Sequence, residues 1–356
     1  MAENETHRSK QAERQPSIDL LRFIAAMMVA TMHWGIEVGN ERFQRIYDLP
    51  VIGDLVKNGS FGVNIFFVIS GFVIIGTAQK CNAIEFIFAR FTRLFPGLLV
   101  SMLIILMVGS HFIHPYENPF NSFFHSIFLT YQAVGVQPLA TPLWTLIIEI
   151  KFYFGIAITL FIFPRFFKST KGVIALLASW ELIVIILQET TSPMGTYLLP
   201  YLTLNGSNHL FALGICFKLI SKVKIKLTQE NLLLLLIALY FINEVFLVDN
   251  QLTITEVYMI IASIMLIFGG KFVFHPSVQK ISYWLGLSSY LIYLLHIHLG
   301  MALVLQIQSH LTKDIYFVIS TAAALITVAS VVLAIFIERP AQRYLRRKFN
   351  QFDMKR

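Results

Sequence analysis

The chain has 356 residues, 56% of them hydrophobic and 13% charged, with a mean hydropathy of +0.68 and a formal net charge of +8. An average soluble domain carries about 25% charged residues, so the composition excludes a pair of soluble domains and fits one polytopic membrane domain. The excess of positive charge does not mark a nucleic-acid partner, because Lys and Arg are dispersed between apolar stretches. Two cysteines, Cys81 and Cys216, without a matching histidine pattern, give neither a disulfide framework nor a metal site.

Residues 1–17, MAENETHRSKQAERQPS, are polar and of mixed charge, and the first apolar stretch is long enough to span. A cytoplasmic N-terminal segment is therefore expected in place of a signal peptide. Apolar stretches of roughly 17 to 25 residues mark transmembrane helices. By that measure ten are predicted, near 18–38, 61–79, 94–113, 143–165, 172–188, 209–221, 230–248, 254–270, 284–306 and 314–337. The expected fold is an all-α bundle over 18–338, followed by a basic cytoplasmic tail, 339–356. The sixth stretch, NHLFALGICFKLIS, has barely the apolar length of a span and also reads as a broken or re-entrant helix. No internal repeat is evident.

With the N-terminus inside, 22 basic residues fall on the cytoplasmic side, and four, Arg42, Arg45, Lys57 and Lys313, on the other. That asymmetry sets the orientation and places both termini in the cytoplasm. The longer outer loops, about 40–60, 114–142 and 189–208, are rich in Pro, Gly, Asn and Ser, and FNSFFHSIF in the second reads as a short interfacial helix.

Within the first span, PSIDLLRFIAAMMVATMHW, Arg22 and His33 are eleven residues apart, about 16 Å along one helical face. Ionisable groups within a span cost several kcal/mol unless they face protein or water, so both are functional candidates. The bland alternatives are a snorkelling Arg22 and a loop-capping His33. Arg90 and Arg93, in EFIFARFTRLFPGLL just before the third span, stand at i and i+3 and make a compact anion site suited to phosphate, or a topology anchor. Glu149, in TPLWTLIIEIKFYFG, is not neutralised by Lys151 two residues on, which points to another face. It is either protonated and structural, or paired with a histidine or arginine of another helix. Trp144 reads as an interfacial belt residue. Tyr293 and His296, three apart in WLGLSSYLIYLLHIHLG, share a face, and a helix-packing hydrogen bond is the expected role of His296. In GVNIFFVISGF, Asn64, Ser70 and Gly71 permit close helix approach, and the spacing of a nucleophile elbow is absent.

The run of DLLRFIAAMMVATMH, GVNIFFVISGF, FARFTRLFPG, PLWTLIIEIKFY, LGLSSYLIYLLH and FIERP, in this order over nearly the whole chain, resembles the acyltransferase-3 family of bacterial integral-membrane O-acyltransferases. In that family the arginine and histidine of the first helix, the arginine pair before the third and the glutamate after the tryptophan are functional. The resemblance here implies Arg22, His33 and Glu149 as catalytic residues and Arg90 and Arg93 as binding residues. Asn64 stands where an Asp is common and Thr145 where a Ser is common, and Leu21 and Phe23 replace glycines that often flank the first arginine. No extracytoplasmic esterase-like domain is expected after the last span.

The resemblance implies transfer of an acyl group, acetyl in the first instance, from cytoplasmic acyl-CoA to a hydroxyl of a carbohydrate acceptor. No metal is expected, and the setting is the bacterial cytoplasmic membrane. Arg90 and Arg93 would hold CoA phosphates while His33 takes the acceptor's proton, with Glu149 in the position of a triad's third group. No Ser or Cys has an evident base beside it, so direct transfer is expected. A rival class is a proton-coupled transporter with Arg22, His33 and Glu149 as a relay, which would call for inverted repeats that are not found. The acceptor, a surface or exported polysaccharide or a smaller glycoside, and any homo-oligomer are left open.

Overall fold

The structure, a computed structural model, describes residues 15–37, 52–112, 116–189, 199–222, 234, 237, 238, 254–269, 274–312 and 314–353. The described residues are helical with no strand. In chain order the main helices are α1 (Pro16–Glu37), α2 (Ile52–Lys57), α3 (Phe61–Ala78), α4 (Ala83–Phe112), α5 (Pro119–Ile127), α6 (Tyr131–Val134) and α7 (Leu143–Ile162). They continue with α8 (Thr170–Glu189), α9 (Asn208–Lys222), α10 (Ile254–Phe268), α11 (Pro276–Leu295), α12 (Met301–His310), α13 (Ile315–Leu333) and α14 (Arg339–Asp353). Wide π-type turns at His296–Gly300 and Ala334–Glu338 join α11 to α12 and α13 to α14 without a break. Among the described residues six helical runs are long and apolar enough to cross a membrane: Phe61–Ala78, Ala83–Val108, Leu143–Ile162, Thr170–Gln188, Pro276–His310 and Ile315–Gln351. The expected seventh span lies outside the described residues apart from 234, 237 and 238, and so does the N-terminal segment before Gln15.

Of the helix boundaries that differ from the sequence expectation, two do so for evident local reasons. The third span was expected to begin near 94, after its charges, yet α4 begins at Ala83. Asn82 and Glu85 form a reciprocal capping box, each side chain accepting from the other's backbone N–H at 3.0 Å, so the helix nucleates before the arginines. Arg90 and Arg93 therefore sit inside a 30-residue helix that also accommodates Pro96. At the other end, the expected boundary at residue 339 falls within a continuous helical run. Pro340 lacks an N–H, and the turn before it widens instead of stopping.

The bundle centre is α3, with α9 and α1 packed along it and α11 packed on α1. α3 and α9 cross at glycines. A Cβ at Gly71 would lie 2.1 Å from the Phe211 carbonyl oxygen, and one at Gly214 would lie 2.0 Å from that of Val68. That contact explains the sixth stretch: α9 is a 15-residue helix buried from Leu210 to Phe217, and at about 22 Å it is shorter than a roughly 30 Å hydrocarbon core. The FNSFFHSIF stretch forms α5, capped by the Asn118 side chain on the Asn121 N–H at 3.1 Å. It buries Ser122, Ser126 and Ile127 and exposes Phe120 and Phe124, as an interfacial helix does.

Candidate active site

A cavity of about 540 Å³ opens between α1, α3, α4, α7, α11 and α14. On α11 its lining residues run from Tyr283 through Gly286, Leu287 and Tyr290 to Tyr293 and Leu294, one face of the helix about 16 Å long. Arg22, Arg90, Arg93 and Glu149 all line it, so four of the five candidates from distant parts of the chain meet on one space.

One end is dominated by arginine. From α14, Arg339, Arg343, Arg346, Arg347 and Asn350 face the cavity with the periodicity of a single helical face. The helix is fastened there. Gln342 Nε2 donates to the Arg93 carbonyl at 3.1 Å and to Glu338 Oε1 at 2.8 Å, and Phe349 stacks on Phe88 at 3.9 Å between ring centroids. The Arg339 guanidinium lies 5.2 Å from the Tyr283 ring. Seven arginines and two glutamates line the one cavity.

Arg90 reaches inward. Its Nη2 donates to Thr77 Oγ1 at 3.2 Å, its guanidinium carbon is 5.8 Å from the Phe86 ring and 5.9 Å from that of Tyr153, and its Nε is buried with no hydrogen-bond partner among the described residues. Glu149 is held by two hydroxyls: Ser70 donates to its Oε1 at 2.9 Å, and so does Tyr153. Lys151 turns away, donating to Asn205 at 3.2 Å on the exposed side. Glu338 is buried and lines the cavity with one oxygen, Oε2, unbonded among the described residues.

Away from the arginines the lining reaches Tyr293. The Thr145 hydroxyl donates to the Pro142 carbonyl at 2.9 Å, so at the 2.9 Å contact between the two side chains Tyr293 is the donor. Phe66 packs edge-on against the Tyr293 ring at 5.4 Å. His33 is not among the lining residues. It lies beyond the lining, its ring 5.2 Å from that of His296, which is in turn 5.7 Å from Tyr293. The His296 ring bonds the Tyr293 carbonyl of its own helical run, and it is the His296 backbone carbonyl that accepts from another helix, from Trp34 of α1 at 2.8 Å. On the same side Tyr116 donates to the Leu139 carbonyl at 2.7 Å and contacts His298 Nε2 at 2.8 Å, and burial pushes its hydroxyl up to about 12.

The family profile of the acyltransferase domain of the acyltransferase-3 type matches residues 15–339. The chain belongs to the acyltransferase-3 family. Over 178 residues it is 27% identical to the peptidoglycan O-acetyltransferase OatA of Listeria monocytogenes, an alignment covering 44% of this chain and 26% of that protein. The chain thus matches about a quarter of that relative's length. No solved structure matches it.

As an acyltransferase the molecule has cationic and hydroxyl-rich groups distributed along one cavity, with an imidazole pair beyond its end. Sequence reasoning missed several of these groups. Glu338 carries the signal that singled out Glu149, an acid inside the apolar run SVVLAIFIERP. Tyr153 stands one turn after Glu149, where i, i+4 side chains meet. The α14 arginines were counted as topology, although their spacing of four, three and one residues already places them on a common face.

Proposed function

We propose that this acyltransferase is an integral-membrane O-acyltransferase that moves an acyl group, acetyl in the first instance, from acyl-CoA to a hydroxyl of a carbohydrate acceptor. The observation that carries the reading is the gradient along the cavity, from Arg93 and the four α14 arginines at one end, by way of Arg90 and Arg22, to Tyr293 and the His33–His296 pair at the other. CoA has the matching polarity, with phosphates at one end and the reactive thioester at the end of a slender pantetheine arm. Arg93 and the α14 row take the phosphates, Arg90 and Arg22 line the inner wall, and the thioester reaches past Tyr293 to His33. No metal takes part. His33 accepts the proton of the acceptor hydroxyl as its oxygen bonds to the acyl carbon. The carbon–sulfur bond then breaks, and the CoA thiolate leaves and takes the proton from His33. Glu149, held by Ser70 and Tyr153, balances the charge of Arg90.

The acceptor class follows the Listeria relative, whose name describes acetyl transfer to peptidoglycan. We place the chain in the bacterial cytoplasmic membrane with ten spans over 18–338, the short buried α9 counted as the sixth, and both termini inside, the distribution of 22 against four basic residues supporting that orientation. The arginine end of the cavity then opens to the cytoplasm, where acyl-CoA is made. Single cysteines at Lys348 and Ser309, both exposed, test this. An impermeant maleimide added outside intact cells should label the Ser309 position alone, and labelling of both from outside would sink the topology.

Titration of the purified protein with acetyl-CoA tests the function. Binding should occur and weaken with added salt. Arg346→Ala with Arg347→Ala should raise Kd about tenfold or more, since hydrogen bonds to charged groups contribute about 1.5–3 kcal/mol each. An unchanged Kd in that double variant would make the α14 row a lipid anchor. Absence of any acetyl-CoA binding by the wild type would remove the donor assignment.

A further inference from the structure

The reaction proposed above leaves the buried imidazole of His296 without a task. His296, at the first position of the wide turn His296–Gly300, is 0% exposed. Its Nδ1 lies 2.6 Å from the Tyr293 carbonyl oxygen. A carbonyl only accepts, so Nδ1 carries the hydrogen and Nε2 presents a bare lone pair. That Nε2 is buried with no hydrogen-bond partner among the described residues. Buried polar atoms are nearly always satisfied, and an exception calls for an explanation such as a catalytic role.

The surroundings tie this atom to His33. Trp34, the next residue after His33, donates from its indole Nε1 to the backbone carbonyl of His296 at 2.8 Å. The indole lies where a side chain at position 300 would be: a Cβ on Gly300 would come within 2.7 Å of Trp34 Cζ2. The widened turn and its glycine therefore fasten α1 to His296 one residue from His33. The two imidazoles sit with ring centroids 5.2 Å apart and tilted by 42°. Wide turns of this kind recur at functional sites.

We infer that His296 is a positioning residue for His33, a neutral imidazole whose Nε2 lone pair stands beside the imidazolium that forms when His33 takes the acceptor's proton. It serves His33 as the third member of a triad serves its histidine, with a lone pair in place of a carboxylate. Glu149 does not fill that place, because its bonds come from Ser70 and Tyr153. The proton passes from the acceptor hydroxyl to His33 and on to the CoA thiolate, and His296 begins and ends the cycle neutral. The inference rests on the acyl-CoA reading of the cavity.

Two substitutions separate this role from a structural one. Asparagine places an amide near Nδ1 and keeps a donor for the Tyr293 carbonyl, but it has no acceptor at the Nε2 position. Glutamine places its amide near Nε2 and can present an oxygen there. The assay is release of CoA thiol from acetyl-CoA by membrane vesicles containing the full chain, measured over vesicles lacking it. His296→Asn should lower kcat about 10²-fold and His296→Gln by no more than about fivefold, both with KM for acetyl-CoA unchanged. An Asn variant at least as active as the Gln variant overturns the inference. The His33→Ala background gives a second test, in which adding His296→Asn should cost less than about twofold and an additive loss overturns the inference; if Asn misfolds, His296→Ala takes its place in both comparisons. No thiol release by the wild type would sink the donor reading itself, a result distinct from a reversed order of the two variants.

Discussion

Arg90→Ala is expected to remove donor binding and acyl transfer together, with a rise in Kd for CoA of about 10²-fold or more. Arg90 is flanked by the Phe86 and Tyr153 rings and fixed by Thr77, while its Nε is left without a partner among the described residues. A guanidinium set in this way has given up much of its freedom before a ligand arrives, so its bonds to a phosphate form at little further entropic cost. Truncating one partner of a buried hydrogen-bonded charge pair costs about 2–5 kcal/mol, which is about 30-fold to several thousand-fold in affinity. Arg90→Lys restores the charge without the planar fork, and it should remain about tenfold or more weaker than wild type. Calorimetric titration of CoA at low and high salt reads both variants. An Arg90→Ala protein that bound CoA within about twofold of wild type would return Arg90 to the role of a topology anchor.

The membrane character of the fold was legible because it is a property of composition. Runs such as FGVNIFFVISGFVIIGTA have no reading other than a helix in an apolar medium. Arg22 and Glu149 were legible as candidates for a related reason, since each is an ionisable group that an apolar helix carries only against protein or water, whereas Arg90 and Arg93 were read just before the third span as an anion site or a topology anchor. What escaped depends on contacts between distant elements. Nothing local in NHLFALGICFKLIS shows that Gly214 lies against the Val68 carbonyl, which makes α9 a buried short helix. The α14 arginines read as tail because their partner surface, Arg93 with Glu338 and Gln342, is assembled only when α4 meets the end of the chain. The capping box at Asn82 and Glu85 was a local signal that went unused, and it would have moved the start of α4 ahead of the arginines. His33 and His296 are 263 positions apart, and no periodicity within either helix predicts that their rings meet.

His33→Gln is expected to reduce acyl transfer about 10²- to 10⁴-fold, the usual contribution of a general base, while leaving CoA binding and the fold intact. An acceptor hydroxyl is too weak an acid to ionise near neutral pH, so its proton has to leave as the carbon–oxygen bond forms. His33 is placed for that step: it is about three turns along α1 from Arg22, beyond Tyr293, with the neutral His296 beside it. The arginine end of the cavity does not depend on its side chain, so the Kd for acetyl-CoA should stay within about twofold of wild type. Glutamine keeps hydrogen-bonding capacity at the ring's far nitrogen but takes up no proton at working pH, which separates base catalysis from orientation. Transfer of label from radiolabelled acetyl-CoA into the glycan fraction of membrane vesicles measures the rate, and titration on purified protein measures the affinity. A His33→Gln variant that transferred at near wild-type rate would make His33 an orienting group and move the search for the base to Glu149 or to His296 itself.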